Sequence, residues 1–151
     1  MNDSNVLEFE QFNLLYKELD KSYEEYFACC GLSACAMWVI YSLRVDGDFM
    51  TQTDISKRYF LNKQSVSSAI QKLEKDGYVS IQTAPNNAKN KLLQLTEKGC
   101  RFAEETIDKL LTAEQSAFDG LTQEEQRELI RLYQKYMKAL KNGIDKSTFR
   151  K

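Results

Sequence analysis

Histidine is absent from the 151 residues, proline occurs once, and no run of eighteen apolar residues exists. Each absence closes off a class of chemistry. Without histidine the usual general base is missing, and with it the Ser/His/Asp and Cys/His nucleophile arrangements, so an enzyme is not expected and no catalytic residue is assigned. The four cysteines form no CxxC pair, so a closed zinc site would need thiolates from distant elements. No metal and no other cofactor is expected. The lack of a long apolar run argues against a membrane-spanning helix, and the N-terminal MNDSNVLEFEQ is acidic, without the basic and apolar regions of a signal peptide. A cytoplasmic protein without a membrane partner is the expectation. One proline and six glycines leave no linker between two halves, and a hydrophobic content of 42% suits the core of one ordinary domain.

Charge is nearly balanced over the whole chain, at a net -1, but unevenly spread. Residues 1–50 carry three basic and nine acidic groups, residues 51–99 eight and four, and residues 100–151 ten and nine. Local distribution sets the potential that a partner feels, so the positive excess marks the middle third.

What is present is mostly helical periodicity. From Val6 to Phe27, the residues Phe9, Phe12, Leu15, Leu19, Tyr23, Tyr26 and Phe27 recur at three- and four-residue spacing, which predicts a long amphipathic helix. Gly31 interrupts it, Ser33 can cap the next turn, and the almost continuously apolar Ala34 to Leu43 predicts a buried helix. Asp46-Gly47 punctuates a turn. Thr51-Gln-Thr-Asp54 has capping-box spacing and starts a short helix reaching about Tyr59. Asn62 can cap the next one, which continues to about Asp76 with Val66, Ala69, Ile70 and Leu73 on one face and Lys63, Gln64, Ser67, Ser68, Gln71 and Lys72 largely outward.

Two helices joined by the brief Phe60-Leu61 connection fit a helix-turn-helix, whose second helix enters the major groove. Gly77 stops that helix. Tyr78 to Thr83 then alternates as a strand, residues 84–90 form a polar tip, and Lys91 to Leu95 returns as a second strand, completing a wing. Thr96 opens a long helix with Phe102, Ala103, Ile107, Leu110, Leu111 and Phe118 as its stripe. Thr122-Gln-Glu-Glu125 is a second capping box, starting a last helix with Leu129, Leu132, Tyr133, Tyr136, Met137 and Leu140. The predicted fold is mainly α with a small antiparallel β wing, a winged helix-turn-helix at 45–99 flanked by dimerisation helices at 6–30 and 100–145.

Leu73-Glu-Lys-Asp-Gly-Tyr-Val79, followed after the wing by Leu95-Thr-Glu-Lys-Gly99, resembles the paired "LEKxGxV" and "LTxKG" landmarks of the MarR family of bacterial transcriptional regulators. The similarity covers nearly the whole chain. It implies a homodimer built from the first and last helices, each subunit presenting one winged helix to half of a roughly palindromic site on double-stranded DNA, and commonly a repressor released by a phenolic or other small aromatic effector. Three departures accompany it. The wing has Asn86-Asn87-Ala88-Lys89-Asn90-Lys91 where the family commonly has Asp-x-Arg, Ser68 stands about where an arginine is frequent, and the cysteines do not match the family's peroxide-sensing branch.

The candidate DNA-binding residues are Thr51, Thr53, Lys63, Gln64, Ser65, Ser67, Ser68, Lys72, Lys89 and Lys91. Glutamine can pair bidentately with adenine, serine hydroxyls adapt to several acceptors, and the lysines act as point charges toward phosphate. An ordinary solvated helix face competes with this reading for Lys63, Gln64, Ser67 and Ser68, capping alone explains Thr51, and wing solubility competes for Lys89 and Lys91. Tyr16, Tyr23, Tyr26, Trp38 and Tyr41 are candidates for stacking an effector, against a reading as core or dimer interface. Cys29, Cys30, Cys35 and Cys100 are candidates for a redox switch, against packing as inert buried thiols. Two other functions stay open: a winged-helix protein-interaction module or antirepressor with weak DNA binding, and a thiol-based redox-responsive regulator.

Overall fold

The computed structural model describes residues 3–84 and 87–148, with side-chain surroundings from Val6 to Thr83 and from Lys91 to Ile144. Among these residues no single helix is long and apolar enough to cross a membrane. Two compact units are present, the first ending at Asp108 and the second beginning at Lys109.

In the first unit, α1 (Asp3–Cys29) ends before Gly31, whose φ of 77° helps turn the chain by 90° into α2 (Ala34–Val45), and Ser33 caps α2 by accepting from the Ala36 N–H. Met37, Val39, Ile40 and Leu43 of α2 are buried, as an apolar helix without a polar face requires. The chain then runs through β1 (Met50–Thr51), α3 (Gln52–Arg58), α4 (Lys63–Lys75), β2 (Val79–Ala84), β3 (Asn87–Leu95) and α5 (Glu97–Glu105). The α4 face of Val66, Ala69, Ile70 and Leu73 packs toward α2, and each such large side chain removed from water contributes about 1.5–3 kcal/mol. The strands form an antiparallel sheet in the order β1-β3-β2, with Met50 opposite Leu93 and Ile81 opposite Leu93 on its other side. Leu93 is therefore central and fully buried, while Val79 and Leu95 close the sheet over the helices.

The mainly helical winged architecture expected from the periodicity is present, with three local differences. β1 is one: a two-residue strand is too short to show alternation, and it exists because the Phe49 N–H, followed by Met50 and Thr51, finds β3. The wing is another. Strand pairing reaches Ala84 opposite Asn87, while Thr83 pairs with Lys91, so residues 88–90 bulge from β3 where a looser polar tip was expected. Pro85 and Asn86 of that tip lie outside the described residues.

The third difference is the long helix expected after Thr96. It is broken at Thr106 (φ −122°, ψ −69°) into α5 and α6 (Ile107–Asp119). The Thr106 hydroxyl and N–H both turn back to the Phe102 carbonyl, and the Thr106 carbonyl accepts from the Tyr26 hydroxyl at 2.8 Å. Two residues on, the Arg44 guanidinium of α2 forks onto Asp108 at 2.5 and 2.8 Å. These partners come from elements some sixty to eighty residues away, which periodicity cannot register.

In the second unit, Thr122 and Glu125 form the reciprocal cap that starts α7 (Gln123–Thr148). The Gln126 amide closes the turn before it by donating to the carbonyls of Phe118 and Leu121.

Candidate nucleic-acid interface

The helix-turn-helix is assembled from caps. Thr51 accepts from the Asp54 N–H while the Asp54 carboxylate accepts from the Thr51 N–H and hydroxyl at 2.9 and 2.6 Å, a complete capping box that holds the Asp54 carboxyl below its usual range. Thr51 is thus half-buried and engaged in starting α3, whereas Thr53 is exposed. From the same turn Gln52 donates to the Lys63 carbonyl at 2.9 Å, tying the front of α3 to the front of α4. Asn62 accepts from the N–H groups of Gln64 and Ser65, fixing the first turn of α4. On that turn Lys63, Gln64 and Ser65 are exposed, and Ser68, Gln71 and Lys72 continue the same exposure down the helix. Ser67 differs: it is half-buried, because it adjoins the buried Val66 at the edge of the apolar face.

The stem behind this surface explains the glycine landmarks. α4 ends in a Schellman motif, with Gly77 (φ 77°) donating to the Glu74 carbonyl and Tyr78 to Leu73. The Tyr78 carbonyl then accepts from the Thr96 N–H and lies where a Cβ on Gly99 would come within 2.0 Å, so α5 can approach β2 only with glycine there. Thr96 caps α5 at Gly99 and also donates to Gly77. Lys98 donates to the Asp76 carbonyl at 2.7 Å with its ammonium 4.2 Å above the Tyr78 ring, which makes it part of the stem. In the wing, Gln82 and Gln94 hydrogen-bond across the strands at 3.0 Å, and Lys91 is exposed. Lys89 sits on β3 within the bulge; its side chain lies outside the described residues.

The MarR family profile matches residues 31–89, from the turn before α2 into the wing. This segment of the chain is similar to the MarR family. Solved structures agree over more of the chain. A MarR family regulator from Neisseria meningitidis, 19% identical, aligns over 93% of this chain and 99% of its own with a TM-score of 0.78. A MarR transcriptional regulator from Methanosarcina mazei, 20% identical, covers 90% of this chain and 98% of its own at 0.64. BpsR of Bordetella bronchiseptica, whose DNA binding is regulated by 6-hydroxynicotinic acid, is 22% identical over 84% of this chain and 98% of its own, at 0.63. At these identities the likeness establishes the fold. No curated protein matches the chain.

Of the aromatic candidates beside this MarR-type winged helix, four are brought together and one is not. Trp38 meets Tyr23, Phe27 and Tyr41 at centroid distances of 5.6, 5.2 and 5.2 Å, and Tyr26 joins through Phe27. Tyr16 is exposed further up α1, with Lys17 above its ring at 5.7 Å. The cluster has a member that sequence reasoning missed: Tyr59 stacks on Trp38 at 5.9 Å and donates to Asp46 at 2.9 Å. Burial, with the Asp46 carboxylate beside it, pushes the Tyr59 hydroxyl up to about 12. Tyr59 ends α3 outside any apolar repeat, so its only signal was its aromatic identity. Arg58 also binds Asp46, at 3.0 Å.

All four thiols are free. None of the four is fully buried, against the reading as buried thiols, and Cys29, the last residue of α1, is exposed. Cys30, Cys35 and Cys100 are half-buried. Burial pushes the Cys30 and Cys35 thiols up, which keeps them protonated and slows oxidation. Among the described residues no cluster of three or more cysteine or acidic groups could hold a metal ion.

Proposed function

We propose that the chain is a homodimeric, sequence-specific transcriptional repressor acting in the cytoplasm on a roughly palindromic promoter site. The observation that carries this reading is the capped first turn of α4, which holds Lys63, Gln64 and Ser65 exposed beside one another on a winged helix of MarR type. Lys72 and Lys91, with Lys89 and Thr53, supply phosphate contacts, and Ser67 and Ser68 complete the reading edge. Two such helices must meet successive major grooves about 34 Å apart, which calls for a dimer. The apolar side chains exposed on α1 (Leu7, Leu15, Leu19) and, in the other unit, on α7 (Leu129, Leu132, Leu140) are each a face for a second copy to cover.

Release is assigned to a small aromatic or phenolic ligand entering among Tyr23, Tyr26, Trp38 and Tyr41. A ligand acts only by favouring one spacing of the reading heads over another. Fluorescence anisotropy of the protein against its own upstream DNA and a scrambled duplex, at two salt concentrations, tests the core of the reading. Saturable preference for the upstream DNA is expected, with affinity falling as salt rises. Equal weak binding to this and to every other natural promoter fragment would favour a protein-interaction module instead.

A further inference from the structure

The reading edge is unusual in what it offers a base pair. No arginine occurs between Arg58 and Arg101, a span that includes the whole of α4 and the wing. The two flanking arginines are engaged with carboxylates of their own elements' surroundings, Arg58 with Asp46 and Arg101 with Glu97. Arginine is the side chain whose planar fork best fits the O6 and N7 acceptors of guanine, and lysine meets a site as a point charge. What α4 does present at its front is the Gln64 amide and the serine hydroxyls.

Phe60 stands in the turn that leads into α4. The residue is 88% exposed, the highest value among the described large apolar residues, and its backbone lies in the left-handed region at φ 54°. Glycine or asparagine would occupy that position with less strain and no exposed apolar surface. Strain of this kind persists where the surroundings over-determine it. Here the Tyr59 and Leu61 N–H groups are held by the carbonyls of Ile55 and Ser56, and the Tyr59 hydroxyl by Asp46. The turn is therefore pinned on both sides of Phe60, two residues before the cap of α4, with the ring directed outward.

We infer that this edge is built for an A·T half-site, in which Gln64 pairs with an adenine and the Phe60 ring packs on the 5-methyl of a neighbouring thymine. The assignment rests on the DNA-binding reading above and adds the composition of its target. A glutamine amide matches the N6 donor and N7 acceptor of adenine, and an apolar side chain matches the one methyl group that the major groove displays. DNA is favoured over a protein surface as the ring's partner because the exposed residues three and four positions on are Lys63 and Gln64, in the segment where the chain's positive excess lies.

The test is selection from a randomised duplex pool with the full-length protein, followed by anisotropy on the selected site with each thymine replaced in turn by uracil, which removes only the methyl group. A·T pairs are expected at the half-site core. One uracil replacement should weaken wild-type binding roughly fourfold, the worth of one buried methyl. The same replacement should leave Phe60→Gly and Phe60→Asn unaffected, and both variants keep a residue suited to the left-handed turn. Gln64→Ala should lose about tenfold on the selected site and discriminate less among bases at one position. Selected half-sites with G·C at their core would overturn the inference while leaving DNA binding intact. So would Phe60 variants that keep the wild-type uracil penalty, a result that would hand the ring to a protein partner. A pool that yields no enriched sequence would overturn the DNA-binding reading itself.

Discussion

At the scale of single residues, two positions show how closely the winged helix is packed. Gly99 leaves room for the Tyr78 carbonyl, and an added Cβ would sit 2.0 Å from that oxygen, where neither backbone can give way cheaply. Gly99→Ala is expected to destabilise the fold by about 3 kcal/mol, at the upper end of overpacking effects, read as a fall in the urea midpoint with an unchanged slope. Ser56 is the converse. Its hydroxyl oxygen is buried and, among the described residues, is the side-chain polar atom without a hydrogen-bond partner. Ser56→Ala removes a buried unsatisfied group and should stabilise the protein by up to about 1 kcal/mol, a gain that thermal unfolding would register.

At the scale of elements, charged and aromatic groups join segments whose apolar stripes say nothing about one another. The Arg44 fork holds the Asp108 carboxyl below its usual 3.8, and the Thr51 cap does the same for Asp54. A depressed carboxylate binds protons less readily in the folded state, so its stabilisation is present above the ordinary value and is lost as pH falls through the folded one. Denaturation midpoints should therefore drop on acidification below 3.8, and Asp108→Asn should flatten that drop while lowering stability at neutral pH. At the alkaline end the sign reverses. Tyr59, raised from 10.0 to about 12, favours the folded state below the ordinary value and ceases to do so as pH rises between the two. Asp46→Asn should shift one tyrosine to a lower ionisation in an ultraviolet titration, because it removes the neighbouring negative charge. Trp38 fluorescence offers a second view of the same joint, since Tyr59 stacks on its ring.

At the scale of the whole molecule, α1 and α7 each leave several large apolar side chains exposed. Leu15 is 58% exposed and Leu132 48%. If a second copy covers them, the paired change Leu15→Glu with Leu132→Glu should give a folded monomer in sedimentation experiments. Such a monomer should bind a single half-site weakly and lose the steep dependence of affinity on half-site spacing. A wild-type protein that sediments as a monomer at all concentrations would remove the dimer from the mechanism.

Local pattern alone determined a good deal about this protein. Periodicity and caps marked α2, α3, α4 and α7 within a few residues of their ends, because a helix start is a local hydrogen-bonding problem that Ser33, Thr51, Asn62 and Thr122 each solve with their own side chains. The apolar face of α4, and the outward position of Gln64 beside it, followed from the same 3.6-residue repeat. Tertiary structure decided the rest. Only long-range partners break the helix at Thr106, draw Met50 and Thr51 into the sheet, and bring Tyr59 onto Trp38. The close approach that demands Gly99 likewise belongs to two elements at once. A sequence repeat records which face of a segment turns inward, but not which distant group it meets there, and at these four places the distant group determines the conformation.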